Sequence, residues 1–254
     1  MTYQYVAASE NAFVQQLAVA YVNHGYWYYV RGFIPLDKDV TAVDRKLIEK
    51  YGIAISKWAR ARRKRQGLAN VHYLRCQRFF ILIATAGQHL FYRAEAMEIR
   101  DIRREPIRFA GYSIGYRQGV DRKWHVSVRI NSEQYNVIKG YFLDVCTHRS
   151  MEQIRKELQM MPFEPYAPVR RQMLNILRAM NRRRRAAGLG PVPIEAVRLR
   201  RQILKPFVCE RDHMVEVERC VDTSGLKESD FSEGLRQYRK TGRNERPVDR
   251  GIPR

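Results

Sequence analysis

Apolar residues recur along this chain with two different periods. Over residues 9–22 (SENAFVQQLAVAYV), Phe13, Leu17 and then Ala20 or Tyr21 fall at helical spacing behind Ser9, a residue suited to cap a helix. Residues 25–32 (GYWYYVRG) form a short aromatic run of strand formers. Helical spacing returns over 41–51, with Thr41 and Asp44 as a capping-box-like start and Gly52 as the stop. It recurs from Ser56 through KWARARRKRQ to Gly67.

From 71 to 130 the period becomes that of strands. VHYLR, FFILIAT, IRFAGYSIGY and KWHVSVRI are punctuated by Gly, Asp and Pro, and RQGVD between the last two reads as a hairpin turn. RFFILIA is apolar throughout, as in a central strand covered on both faces; KWHVSVRI alternates, as in a strand with one face in solvent. Three helices are expected beyond Ile130. Asn131 with Gln134 opens one that reaches Val145, and Ser150 with Gln153 opens another that reaches Met160. Pro168 suits the first turn of a long third helix with Val169, Met173, Ile176, Leu177 and Met180 on one face and Gly188 as its stop.

The predicted architecture is α+β: a mainly antiparallel sheet of about four or five strands, flanked by an N-terminal helical pair and C-terminal helices. The chain divides into a helical region (1–70), an α+β core (71–187), a basic extension (188–221) behind the linker-like GLGPVP, and a tail (222–254) whose polar composition predicts disorder.

Charge changes the picture from a fold to a partner. There are 47 Lys and Arg against 26 Asp and Glu, a net charge of +21, on a chain that is 45% hydrophobic and so has a core to bury. The tail is nearly balanced, so the surplus sits on residues 1–221. Such self-repulsion in a folded domain points to a polyanion, most naturally DNA, with RNA as the close alternative. A membrane partner is not expected, since there is no apolar span, no lipidation signal, no N-terminal leader and no basic helix with a broad apolar face; a cytoplasmic location follows. Cys76, Cys146, Cys209 and Cys220 are scattered without zinc-like spacing, and Cys209, His213 and Cys220 alone do not close a site. No metal or cofactor is expected, save Mg²⁺ should the protein be a nuclease.

The most informative arrangement lies in 41–66. Two short helices around a Gly-containing turn, the second strongly basic, resemble a helix-turn-helix. Leu47, Ile48, Tyr51 and Ile53 would pack against Trp58 and Ala61, leaving Lys57, Arg60, Arg62, Arg63, Lys64 and Arg65 to phosphates and base edges. The plainer alternative is a solvated basic helix. Arg182, Arg183, Arg184 and Arg185 form a second cluster, which Arg198, Arg200, Arg201 and Lys205 extend. Arginine's bidentate donors suit phosphate and guanine. Aromatics interleave with charge at 26–29, Tyr112, Tyr116 and Trp124, where they either stack unpaired bases or fill the core.

Chemistry is less visible. Tyr135 and Lys139, four apart after KWHVSVRI, resemble the tyrosine-to-lysine motif of rolling-circle replication initiators and related nicking transposases. That resemblance implies a tyrosine attacking a phosphodiester and a histidine pair holding a metal. Here the strand offers His125, with Ser127 where the second histidine would stand. Glu95, Glu98, Asp101 and Glu105 are the densest acidic group, alternating with Arg93, Arg100, Arg103 and Arg104. A nuclease or strand-transfer enzyme of a plasmid or mobile element is thus the rival to a binding module, and a ribosome-associated RNA-binding protein is a third reading. Walker, dinucleotide-binding and HExxH signatures are missing.

Overall fold

The computed structural model describes residues 3–119 and 121–208. Its strands are β1 (Tyr26–Phe33), β2 (Val71–Cys76), β3 (Phe79–Thr85), β4 (Arg100–Asp101), β5 (Ile107–Phe109), β6 (Tyr112–Gln118) and β7 (Trp124–Ile130). The fold is α+β, but the strands make two antiparallel sheets instead of one: β2-β3-β1-β4 and β5-β6-β7. The division falls where Asp101 O accepts the amides of Arg104 and Glu105, turning the chain before Pro106. The β3 strand is central, as its unbroken apolar run predicts. Ile81 and Ile83 face one core while Leu82 and Ala84 face another.

Residues 9–24 wind in three ways: α1 (Glu10–Gln15), a π-helical stretch (Gln16–Tyr21) and a 3-10 turn (Val22–His24), ended by Gly25 at φ 92°. Ser9 Oγ accepts the Ala12 amide, as expected of the cap. The α2 helix (Val40–Lys50) begins one residue earlier than the 41–51 reading. Its cap is Asp39, whose carboxylate accepts the Thr41 and Ala42 amides. Asp44 takes no part in capping; it is fully buried, accepting the Tyr73 hydroxyl at 2.5 Å and Arg75 Nε at 2.9 Å. The α3 helix (Lys57–Arg65) is capped by Ser56 as predicted, and α4 (Leu90–Ala94) lies between β3 and β4.

After β7 come α5 (Ser132–Val145), α6 (Met151–Gln159) and α7 (Ala167–Ala186), opened by Asn131, by the Ser150–Gln153 capping box and by Pro168 in the first turn. Their apolar faces meet the inner face of the second sheet (Ile107, Tyr112, Ile114, Val128, Ile130) and one face of the first sheet in the larger core. The smaller core joins the other face of the first sheet to Tyr51, Ile53 and Phe91.

The segment from 188 onward, read as a basic extension, packs back on this core as far as it is described. Val192, Ala196 and Val197 are buried, and Gln15 pairs through its side-chain amide with the backbone of Leu204 in both directions. The expected tail (222–254), with Cys209, His213 and Cys220, lies outside the described residues. Among the described residues no helix is long and apolar enough to cross a membrane.

Candidate nucleic-acid interface

The helix-turn-helix packing expected for 41–66 is not formed. Trp58 is 79% exposed, Ala61 is exposed, and α3 buries no side chain. Tyr51 and Ile53 pack instead beneath the first sheet, with Val71, Tyr73 and Phe91. What fastens α3 is Arg60: its guanidinium donates to the carbonyls of Ile53 (2.5 Å) and Val71 (3.1 Å) and lies over the Tyr3 ring. Asn70 closes the contact by donating to Arg60 O. Arg60 is therefore a structural bolt whose donors are engaged. Lys57, Arg62, Lys64 and Arg65 are exposed, and Arg63 is half-buried. The helix is basic and solvated, held by Arg60 and Asn70 and not by a buried apolar face.

The four-arginine run is likewise divided by its helix. Arg184 is 5% exposed and donates to Gly190 O and Cys146 O, tying the end of α7 to the end of α5 and to the following loop. Arg183 approaches Asp144 at 3.8 Å, while Arg182 and Arg185 point into solvent. Farther on, Arg198 is spent on Glu164 and Phe163 O, and Arg201 lies over Tyr166. Arg200 and Lys205 are exposed.

Convergence occurs elsewhere. In the β6–β7 register Ser113 faces Arg129, Gly115 faces Ser127 and Arg117 faces His125, so these residues share the outward face of the hairpin. Against its open edge runs α7, which seals that edge through Gln172: its amide accepts from Ile130 N and donates to Ile130 O, both at 2.9 Å. This brings the N-terminal turn of α7 over the hairpin's polar face and encloses a pocket of about 560 Å³. Arg117, Arg129 and Arg171 line it with His125, Ser127 and Gln172, and no carboxylate does. Among the described residues none of the three arginines has an ion-pair partner; Arg129 Nε donates to Ser127 Oγ at 3.0 Å. Partial burial, together with the like charges of Arg117 and Arg171, pushes Arg129 below the usual arginine value. The free amides at the start of a 20-residue helix add positive potential at the same place. Three mutually repelling guanidiniums held together without an acid form a cavity that an anion would relax.

The pocket continues along one face of α7. Arg171, Asn175, Arg178, Arg182 and Arg185 are all exposed and alternate at spacings of four and three, a positive stripe of roughly 21 Å at 1.5 Å per residue. Of the aromatics, Tyr26, Tyr29 and Tyr112 belong to the core. Trp27, Tyr116 and Trp124 form a file at the hairpin end, and Trp124 is 48% exposed.

The nicking centre that the resemblance implies is not assembled. Tyr135 sits in the first turn of α5, beyond the far end of β7 from His125, about 16 Å along the strand. It packs against the larger core, and burial raises its hydroxyl above the ordinary tyrosine value. Lys139 lies one turn farther along the same helix. His125 Nε2 instead meets the Asp121 carboxylate at 2.9 Å, and that bond holds Asp121 below the usual carboxylate range. The acidic group is dispersed: Asp101 binds Arg103, Glu105 pairs with Arg100, and Glu95 takes the Tyr51 hydroxyl and Lys50.

No family model matches the chain, and neither a curated protein nor a solved structure does. Arg117, Arg129, Arg171 and Arg178 escaped the sequence reading because each lies outside the dense basic runs at 57–65 and 182–185. The usable signal was the alternation of KWHVSVRI, whose polar positions His125, Ser127 and Arg129 are the pocket wall.

Proposed function

We propose that this chain is a nucleic-acid-binding protein that takes the phosphate backbone, of DNA first among candidates, in the Arg117–Arg129–Arg171 pocket and along the α7 stripe. The observation that carries the reading is the convergence of three guanidiniums without a carboxylate at a helix N-terminus. Unpaired buried or crowded charge is costly, and a phosphate offers these donors charge-assisted bonds. The exposed cations of α3 add a diffuse, salt-screened attraction. Fluorescence anisotropy with labelled duplex DNA, single-stranded DNA and an RNA hairpin at fixed salt tests this. The Arg117→Gln, Arg129→Gln, Arg171→Gln triple variant should lose about 100-fold in affinity, as expected for losing several charge-assisted bonds. Absence of binding by the parent to all three polymers would overturn the reading, and the relative affinities rank DNA against RNA.

A second reading rests on one contact. His125 lines the pocket and is held by the Asp121 carboxylate, so it would be available as a general base to a phosphodiester bound there. Cleavage of an end-labelled strand, lost in His125→Ala with binding retained, would favour the enzyme; intact strands under all conditions favour the binding module.

A further inference from the structure

We infer that the β6–β7 hairpin selects unpaired nucleotides, stacking a nucleobase on Trp124 while the arginine pocket on the hairpin's other face holds a neighbouring phosphate. The inference rests on the nucleic-acid reading above. Trp27 and Tyr116 have ring centroids 5.5 Å apart at 28°, and Tyr116 and Trp124 have centroids 5.7 Å apart at 18°. Arg103 lies over Trp27 at 4.7 Å and closes the inner end, itself fixed by Asp101 at 2.6 Å. The file thus runs from a capped end inside to Trp124, which is 48% exposed, outside.

An aromatic pair that serves packing looks different in the same molecule. Tyr112 and Phe163 meet edge-on with centroids 5.0 Å apart at 78°, and they are 1% and 7% exposed. The Trp27–Tyr116–Trp124 file instead ends in solvent, flanked by a small cleft that Arg104, Arg117 and Gln118 share with Tyr116 and Trp124. Arg117 and Gln118 also line the arginine pocket, so aromatic and cationic surfaces meet along one strand end. Every nucleobase has a face to offer such a ring, and a duplex hides those faces in its own stack. Guanidinium beside an exposed tryptophan is therefore chemistry for an unpaired base with its phosphate.

The test measures binding of a 15-nucleotide single strand and of the corresponding duplex, by anisotropy, to the full chain and to Trp124→Ala and Trp124→Tyr. The parent should prefer the single strand. Trp124→Ala should lose about 10- to 100-fold for the single strand, the scale of one base–aromatic stack, and stay within about threefold for the duplex. Trp124→Tyr should recover most of the loss, which a purely structural role for the indole would not require. Equal single-strand affinity in Trp124→Ala and parent, with the triple arginine variant still weakened about 100-fold, would overturn this inference and leave the nucleic-acid reading standing. No binding by the parent would remove both.

Discussion

Four consecutive arginines at the end of α7 meet different fates, whereas three arginines drawn from β6, β7 and α7 share one pocket. The helical step of about 100° per residue turns Arg184 inward to two backbone carbonyls and Arg182 and Arg185 outward to water. Strand pairing and the seal of Gln172 on Ile130 do the opposite for Arg117, Arg129 and Arg171. Density of charge along a chain is therefore a poor guide to density in space. A guanidinium next to other guanidiniums in sequence can be structural, and one outside such a run can be part of a site.

The contrast is sharpest in stability. Arg184→Ala should lower the unfolding free energy by about 3 kcal/mol, because it strips charged donors from two carbonyls and leaves a gap beneath α7. Arg182→Ala should stay within about 0.5 kcal/mol. Urea unfolding of both variants measures this, and equal effects would erase the distinction within the run.

Binding should divide the other way. Removing the pocket trio should cost about 100-fold, or about 2.7 kcal/mol, whereas Lys57, Arg62, Lys64 and Arg65 changed together to Gln should cost about tenfold. A larger loss from α3 would move the interface to that helix.

Acid probes the first sheet, where no guanidinium trio is involved. Burial, and then Arg60, depress the His72 imidazole to about 3. Tyr3, Tyr21 and Tyr26 surround its ring. Between the unfolded value near 6.5 and about 3, the unfolded chain binds the proton that the folded chain refuses. Stability is therefore fully held above 6.5 and is lost as pH falls, at up to about 1.4 kcal/mol per unit. Urea midpoints from pH 7 to 4 should show this slope, and His72→Asn should flatten it.

The smallest expected effect concerns Trp58. As a helix-turn-helix packing residue it would cost about 3–5 kcal/mol on truncation to Ala; at 79% exposure it should change the unfolding free energy by no more than about 0.5 kcal/mol.

What the sequence revealed was local. Ser9, Ser56, Asn131 and Ser150 open helices as read, since a cap depends on amides two or three residues away. Asp44 shows where local reading stops: its spacing from Thr41 suits a capping box, yet Tyr73 and Arg75, from a strand about thirty residues away, claim its carboxylate. The split into two sheets depends on which strands pair across the core, and short turn signals do not encode that. The pocket was half legible. Alternation along β7 identified an open polar face, but nothing in the local pattern places the start of α7 against it.

The most direct test of the pocket as the phosphate site is the salt dependence of nucleic-acid affinity for the parent and the Arg117→Gln, Arg129→Gln, Arg171→Gln variant. Each lost phosphate contact removes about 0.7 to 0.9 from the slope of log affinity against log salt, so the variant's slope should be shallower by about two to three. An unchanged slope would mean that phosphate is held elsewhere on the molecule.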